Sequence, residues 1–175
     1  RELRLVPLRS VFETLPMAVA SLARRVGRNV RVDISGDTIE IDRSVLDRLS
    51  EPLTHLLTNA VDHGIEPEAE RVLNGKPARG TISIAAVQRG VELVVTVTDD
   101  GRGVDVAAAR NQTVARGMLT EAAALAAPEN DILLTLFAPG MSTRSETTEL
   151  SGRGVGLAVV WDSIYSIGGR VAVRT

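Results

Sequence analysis

At 175 residues, with 44% hydrophobic content and no cysteine, the chain has the size of one domain with a real core, and disulfide scaffolds and thiolate zinc sites are excluded. Aromatics make up only 2%, so the core is expected from Leu, Val, Ile and Ala, without the aromatic-basic interleaving that binds single strands. A net charge of -2 gives no argument for nucleic acid or a membrane surface, and nothing reads as a signal peptide or transmembrane span, which makes the cytoplasm the default location.

Residues 1–9 are short and mixed and read as a connector ending near a helix N-cap at Ser10. Val11, Phe12, Leu15, Val19, Leu22, Ala23 and Val26 recur at helical spacing over 11–26, with Pro16 marking a kink or a late start and Gly27 a stop. Arg24, Arg25 and Arg28 read as a solvated helix end. Val30, Val32 and Ile34 alternate with polar neighbours as a half-buried strand. Gly36-Asp37 then turns into 38–41, which predicts a hairpin. Asp42 caps a long helix that runs to His63, with a break at Pro52, and Gly64 ends it.

Residues 66–74 suggest a short exposed helix, followed by a loop at Gly75-Lys76-Pro77. Residues 81–85 and 91–98 predict two strands joined at Arg89-Gly90, the second apolar enough to be central in its sheet. Short Ala-rich helices are expected over 105–116 and 120–126, and another over 131–137. Residues 138–151 are polar and without apolar period, a loop long enough to suggest function or disorder. A helix opens after Gly152–Leu157 and runs to about Ile167, and Gly168-Gly169 leads into a last strand, Arg170 to Arg174. Helices interleaved with mostly antiparallel hairpins predict a two-layer α/β sandwich, one sheet with helices on one face.

Three stretches carry chemistry. The long helix places His55, Asn59, Asp62 and His63 on one face, backed by Leu53, Leu56, Leu57, Ala60 and Val61. Imidazole, amide and carboxylate groups suit metal and phosphate chemistry, although a merely hydrated face has the same pattern. Asp99-Asp100-Gly101-Arg102-Gly103 follows the second strand of its pair. A carboxylate at a buried strand end is partly desolvated and needs a donor, for which an adenine amino group is one candidate and a plain Asp-Gly turn the alternative. Gly152, Gly154 and Gly156 precede a helix N-terminus, where glycines and exposed amides favour phosphate. Leu157 breaks the dinucleotide fingerprint, and no P-loop occurs. Trp161 and Tyr165, four apart on the last helix, read as partial core packing, with a docking surface as the sharper alternative.

The order of these stretches, with "HLLTNAVDHGIE", "DDGRG", "LFAPGMST" and "SGRGVGL", resembles the ATP-binding domain of CheA-type chemotaxis histidine kinases, in the histidine-kinase and gyrase-type superfamily. The resemblance runs from about Val6 to the end. It implies a Bergerat-type fold over 10–175 with a lid over 104–151, lacking its C-terminal hairpin so that the last strand is an exposed edge. It implies Mg²⁺-ATP as the bound species. Asn59 would coordinate Mg²⁺. His55 would lie near the γ-phosphate and the metal, as the catalytic residue where other branches place a glutamate. Asp62 and His63 would complete the nucleotide-facing side. Asp99 would accept the adenine amino hydrogen, with Gly101 and Gly103 admitting the base. Phe137, Ser142 and Thr143 would belong to the lid, and Arg110 and Arg144 would reach the phosphates. Gly152, Arg153, Gly154, Val155, Gly156 and Leu157 would hold the phosphates. Met141 stands where the family commonly has Phe, and keeps an apolar lid anchor.

The implied reaction is γ-phosphoryl transfer to a histidine nitrogen. The implied partners are a histidine-containing phosphoacceptor domain, a response regulator downstream, and neighbouring dimerisation and coupling domains. Neither nucleic acid nor membrane insertion is implied. Two alternatives stand beside this reading: an ATPase module of the gyrase or chaperone branch, and a degenerate nucleotide-binding scaffold. His55 and "NAVDHGIE" argue against the former, and the intact motifs against the latter. Arg1 without a methionine, and an end at Thr175, suggest a piece of a longer protein.

Overall fold

The computed structural model describes residues 4–138 and 157–175. They fall into two compact units, Arg1–Arg102 and Gly103–Thr175.

The first unit is a two-layer α/β arrangement. Strand β1 (Leu5–Pro7) and helix α1 (Arg9–Phe12) precede α2 (Leu15–Arg25), β2 (Val30–Ser35), β3 (Glu40–Asp42) and α3 (Arg43–Asn59). A π-helical turn (Ala60–Gly64), α4 (Glu68–Leu73), β4 (Gly80–Arg89) and β5 (Glu92–Asp99) complete it. β4 alternates buried and half-buried residues along its first seven positions, and Ile82 and Ile84 are fully buried. Helices α2 and α3 touch each other and pack on β2 and β5 respectively. They bring Leu15, Val19, Ala23, Leu49, Leu53 and Leu57 into the same core. Each of these leucines, and Val19, contributes about 1.5–3 kcal/mol by leaving water.

The pairing departs from the sequence reading in three places. No β2–β3 hairpin forms. β3 pairs antiparallel with β1, and β2 pairs parallel with β4. The turn at Gly36 closes as expected, with Ile39 N donating to Gly36 O (3.2 Å), but the Ile39 carbonyl is taken by Leu8 N (2.9 Å). The stretch expected as a connector is thus β1, and Leu8, fully buried, stands at the N-cap of α1 where Ser10 was expected. Second, the order β2-β4-β5 makes β4 central and β5, only half-buried, an outer strand among the described residues. An apolar run cannot separate a central strand from a half-covered one. Third, residues 170–174 hold no strand.

Helix boundaries differ for local reasons. The run over 11–26 is two helices, because Pro16 sits at the start of α2 and sets a late beginning there. Gly27 at φ +66° ends it. Arg28 is half-buried rather than a solvated end, its Nε donating to Ile65 O (2.9 Å). Asp42 caps α3 by accepting from Ser44 N (2.7 Å). Pro52 is buried inside α3 without breaking it.

The second unit holds α5 (Val106–Ala115), α6 (Glu121–Ala126), α7 (Glu129–Thr135) and α8 (Ala158–Ser166). Asp105 and Thr120 cap α5 and α6 through Ala108 N and Ala123 N. Ala109, Ala124 and Ile132 form a small core joined by Val106, Val114, Leu119 and Leu136. Thr113 and Thr135 hydroxyls meet at 2.9 Å and tie α5 to α7. Trp161 and Tyr165 stack, with centroids 5.8 Å apart, and Tyr165 is 66% exposed rather than packed in a core.

Candidate functional site

Helix α3 delivers His55 and Asn59, both half-buried, on its last turns. The helix expected to reach His63 then widens. Ile65 N donates to Ala60 O (2.7 Å), an i→i+5 bond, and Asp62 and His63 sit in that π turn. A widened turn shifts side-chain register, so the 3.6 period does not carry the face of His55 and Asn59 through to His63. Asp62 is half-buried and His63 exposed. Ile65 explains the widening: it is fully buried against Gly80, its carbonyl is held by Arg28, and its backbone is already extended. π turns of this kind are frequent at functional sites.

The second stretch lies directly against this turn. A Cβ on Gly64 would stand 2.8 Å from Asp99 Oδ1. The same oxygen accepts from Gly101 N (2.9 Å), and Arg102 N donates to Gly64 O (3.0 Å). Asp99 is exposed, so the partial desolvation expected at its strand end is absent. Gly64 and Gly101 meet backbone to backbone, which a side chain on Gly101 would prevent. The π turn at the end of α3 and the Asp99–Arg102 turn are therefore in direct contact at Gly64.

An ionic set around Arg71 and Lys76 holds that turn. Arg71, fully buried, donates Nη1 to Glu66 Oε2 (2.9 Å) and Asp100 O (3.2 Å), Nη2 to Asp100 Oδ2 (2.9 Å) and Nε to Pro77 O (2.8 Å). Lys76 Nζ donates to Glu66 Oε1 (2.7 Å), Asp100 O (3.1 Å) and Gly101 O (2.7 Å). Asp100 Oδ1 accepts from Thr81 N (2.9 Å). Burial pushes the Glu66 carboxyl up, but hydrogen bonds from Lys76, its own backbone amide and Arg71 outweigh this and hold it below the usual carboxylate range. The sequence reading made 66–74 an exposed helix and passed over this set. No local signal marks it: Val72 and Leu73, the apolar pair of this helix, are 57% and 87% exposed, while the charged Arg71 takes the core.

The remaining expected residues belong to the second unit or lie outside the described residues. Gly103 has φ +71°, and Val104 N donates to Thr175 Oγ1 (2.7 Å). Arg110 donates Nη1 to Ala124 O, tying α5 to α6. Phe137 is buried after α7, and Leu157 stands at the N-cap of α8. Ser142, Thr143, Arg144 and Gly152–Gly156 fall outside the described residues. No group of three or more His, Asp or Glu that could hold a metal ion occurs among the described residues.

The chain belongs to the histidine kinase-, DNA gyrase B- and HSP90-like ATPase family, whose model matches residues 44–175. Over nearly its whole length it matches CheA-type relatives. It is 40% identical over 172 residues to the chemotaxis protein CheA of Halobacterium salinarum, covering 98% of this chain and 26% of that one. It is 41% identical over 174 residues to the gliding motility regulatory protein of Myxococcus xanthus, covering 99% and 22%. It thus spans about a quarter of the length of the relatives it matches. Among solved structures, a blue-light activated histidine kinase of Erythrobacter litoralis gives a TM-score of 0.49 at 18% identity, covering 93% of this chain and 40% of that one.

Proposed function

We propose that the chain is the ATP-binding catalytic domain of a CheA-like histidine kinase, occupying 10–175. It binds Mg²⁺-ATP, and the γ-phosphoryl group passes to a histidine on a separate phosphoacceptor domain or chain. The observation that carries this reading is the seating of the Asp99–Arg102 turn on the π turn at the end of α3. It joins two of the resemblance's motifs in one place, within a chain of this ATPase family.

In this reading Asp99 accepts the adenine amino hydrogen, and Gly101 lets the backbone approach the base. Asn59 coordinates the Mg²⁺ that comes with the phosphates, and His55 lies near the γ-phosphate. Asp62 and His63 complete the nucleotide-facing side. The metal supplies charge neutralisation, and the chain's work is positioning. From sequence alone, Gly152–Gly156 give backbone amides to the phosphates. Arg110 is already committed to Ala124 O, which weakens its case as a phosphate ligand.

A response regulator, dimerisation domain and coupling domain are the partners such a kinase needs. A cytoplasmic site suits them, and no helix among the described residues is long and apolar enough to cross a membrane.

The test is phosphotransfer from γ-labelled ATP, with Mg²⁺, to a separate histidine-containing domain. The reading expects acid-labile label on the acceptor histidine. Free phosphate released without labelled acceptor would instead support the gyrase- or chaperone-like ATPase.

A further inference from the structure

The Asp99–Arg102 turn is short, exposed and contains a glycine, yet it is gripped by a fully buried arginine. Arg71 and Lys76 together cover two consecutive carbonyls, those of Asp100 and Gly101. Asp100 divides its carboxylate between Arg71 and the amide of Thr81 on the central strand. Two cations therefore face two carboxylates, Glu66 and Asp100, in a closed set. The neighbouring Asp99 is left to face Gly64 with Oδ1 fixed by Gly101 N. A surface turn needs no buried charge to form. A buried ion set adds little net stability over apolar packing, and its best use is to select one arrangement.

We propose that Arg71 and Lys76 are positioning residues for base recognition: they lock the turn against Gly64 so that Asp99 presents one fixed edge to the adenine. This rests on the nucleotide reading above. Reading a base by hydrogen bonds requires the acceptor to be held within a fraction of an ångström, and a loosened turn loses discrimination before it loses contact with the phosphates. Lys76 is the better probe, because its side chain is one-third exposed at 33%, whereas truncating Arg71 takes from the buried Glu66 one of its two cations.

The experiment titrates the chain and its Lys76→Met, Lys76→Arg and Asp100→Asn variants with Mg²⁺ and three probes: a non-hydrolysable ATP analogue, the matching GTP analogue and tripolyphosphate. Amide exchange at Gly101 and Arg102 is followed without ligand. Lys76→Met is expected to weaken the ATP analogue about five- to tenfold, the net worth of one hydrogen bond from a misplaced Asp99. The adenine-over-guanine preference shrinks, tripolyphosphate binds as before, and the two amides exchange faster. Lys76→Arg restores the preference, and Asp100→Asn follows Lys76→Met. Equal losses for all three probes would make the set a plain structural staple and overturn the assignment. So would faster exchange with an unchanged base preference. If the unaltered chain binds none of the probes, the nucleotide reading itself fails. If it binds the ATP analogue and Lys76→Met behaves identically, only the positioning role fails.

Discussion

Gly64 and Asp99 lie so close that a single methyl group on the glycine would stand 2.8 Å from the aspartate Oδ1. They are 35 positions apart in sequence, in different motifs, and their contact brings those two motifs together.

Gly64→Ala tests that contact. The glycine has ordinary backbone angles, so the cost falls on the Asp99 carboxylate rather than on the chain. ATP-analogue affinity should fall about tenfold by calorimetry, while the thermal midpoint moves little, as expected when one partly exposed hydrogen-bonding group is displaced. A large drop in midpoint with unchanged affinity would mean the contact is structural only.

Asp99→Asn puts an amide where the adenine amino group needs an acceptor. The expected result is weaker ATP-analogue binding, by about 1–3 kcal/mol, with less discrimination against the GTP analogue. Unchanged binding of both would remove Asp99 as the base reader.

Asn59→Ala should abolish the Mg²⁺-dependent part of nucleotide affinity and leave the fold intact by circular dichroism. Asn59 is half-buried at the end of α3, so its loss opens no core cavity. Retained Mg²⁺ dependence would defeat the metal assignment.

Glu66 gives a pH test. Its folded carboxyl titrates below its ordinary value of 4.5, so its stabilising contribution is present above that pH and is lost as pH falls through the folded value. Thermal midpoints measured from about pH 6 down to pH 3 should fall for the unaltered chain. Glu66→Gln should start lower and fall less steeply. Arg71→Met, which takes from the buried Glu66 one of its two cations and leaves it Lys76, should cost about 3–5 kcal/mol in urea unfolding.

The elements were legible in the sequence where local chemistry decides them. Asp42 capping α3, Gly27 closing α2 and the alternation in β2 and β4 all depend on near neighbours. Strand partnership was not legible: β3 turns to β1 rather than β2 because of Leu8, buried in a stretch that reads as a connector. The candidate residues on α3 and at Asp99 stood out by residue type. The π turn did not, since it is set by Ile65 packing on Gly80 and Arg28 holding its carbonyl, both long-range. Arg71 escaped for the same reason, its partners being as far off as Asp100.

The most direct measurement is calorimetric titration of this chain with a non-hydrolysable ATP analogue, with and without Mg²⁺. The account predicts one site per chain whose affinity rises with Mg²⁺. Absence of binding, or binding indifferent to Mg²⁺, would contradict it.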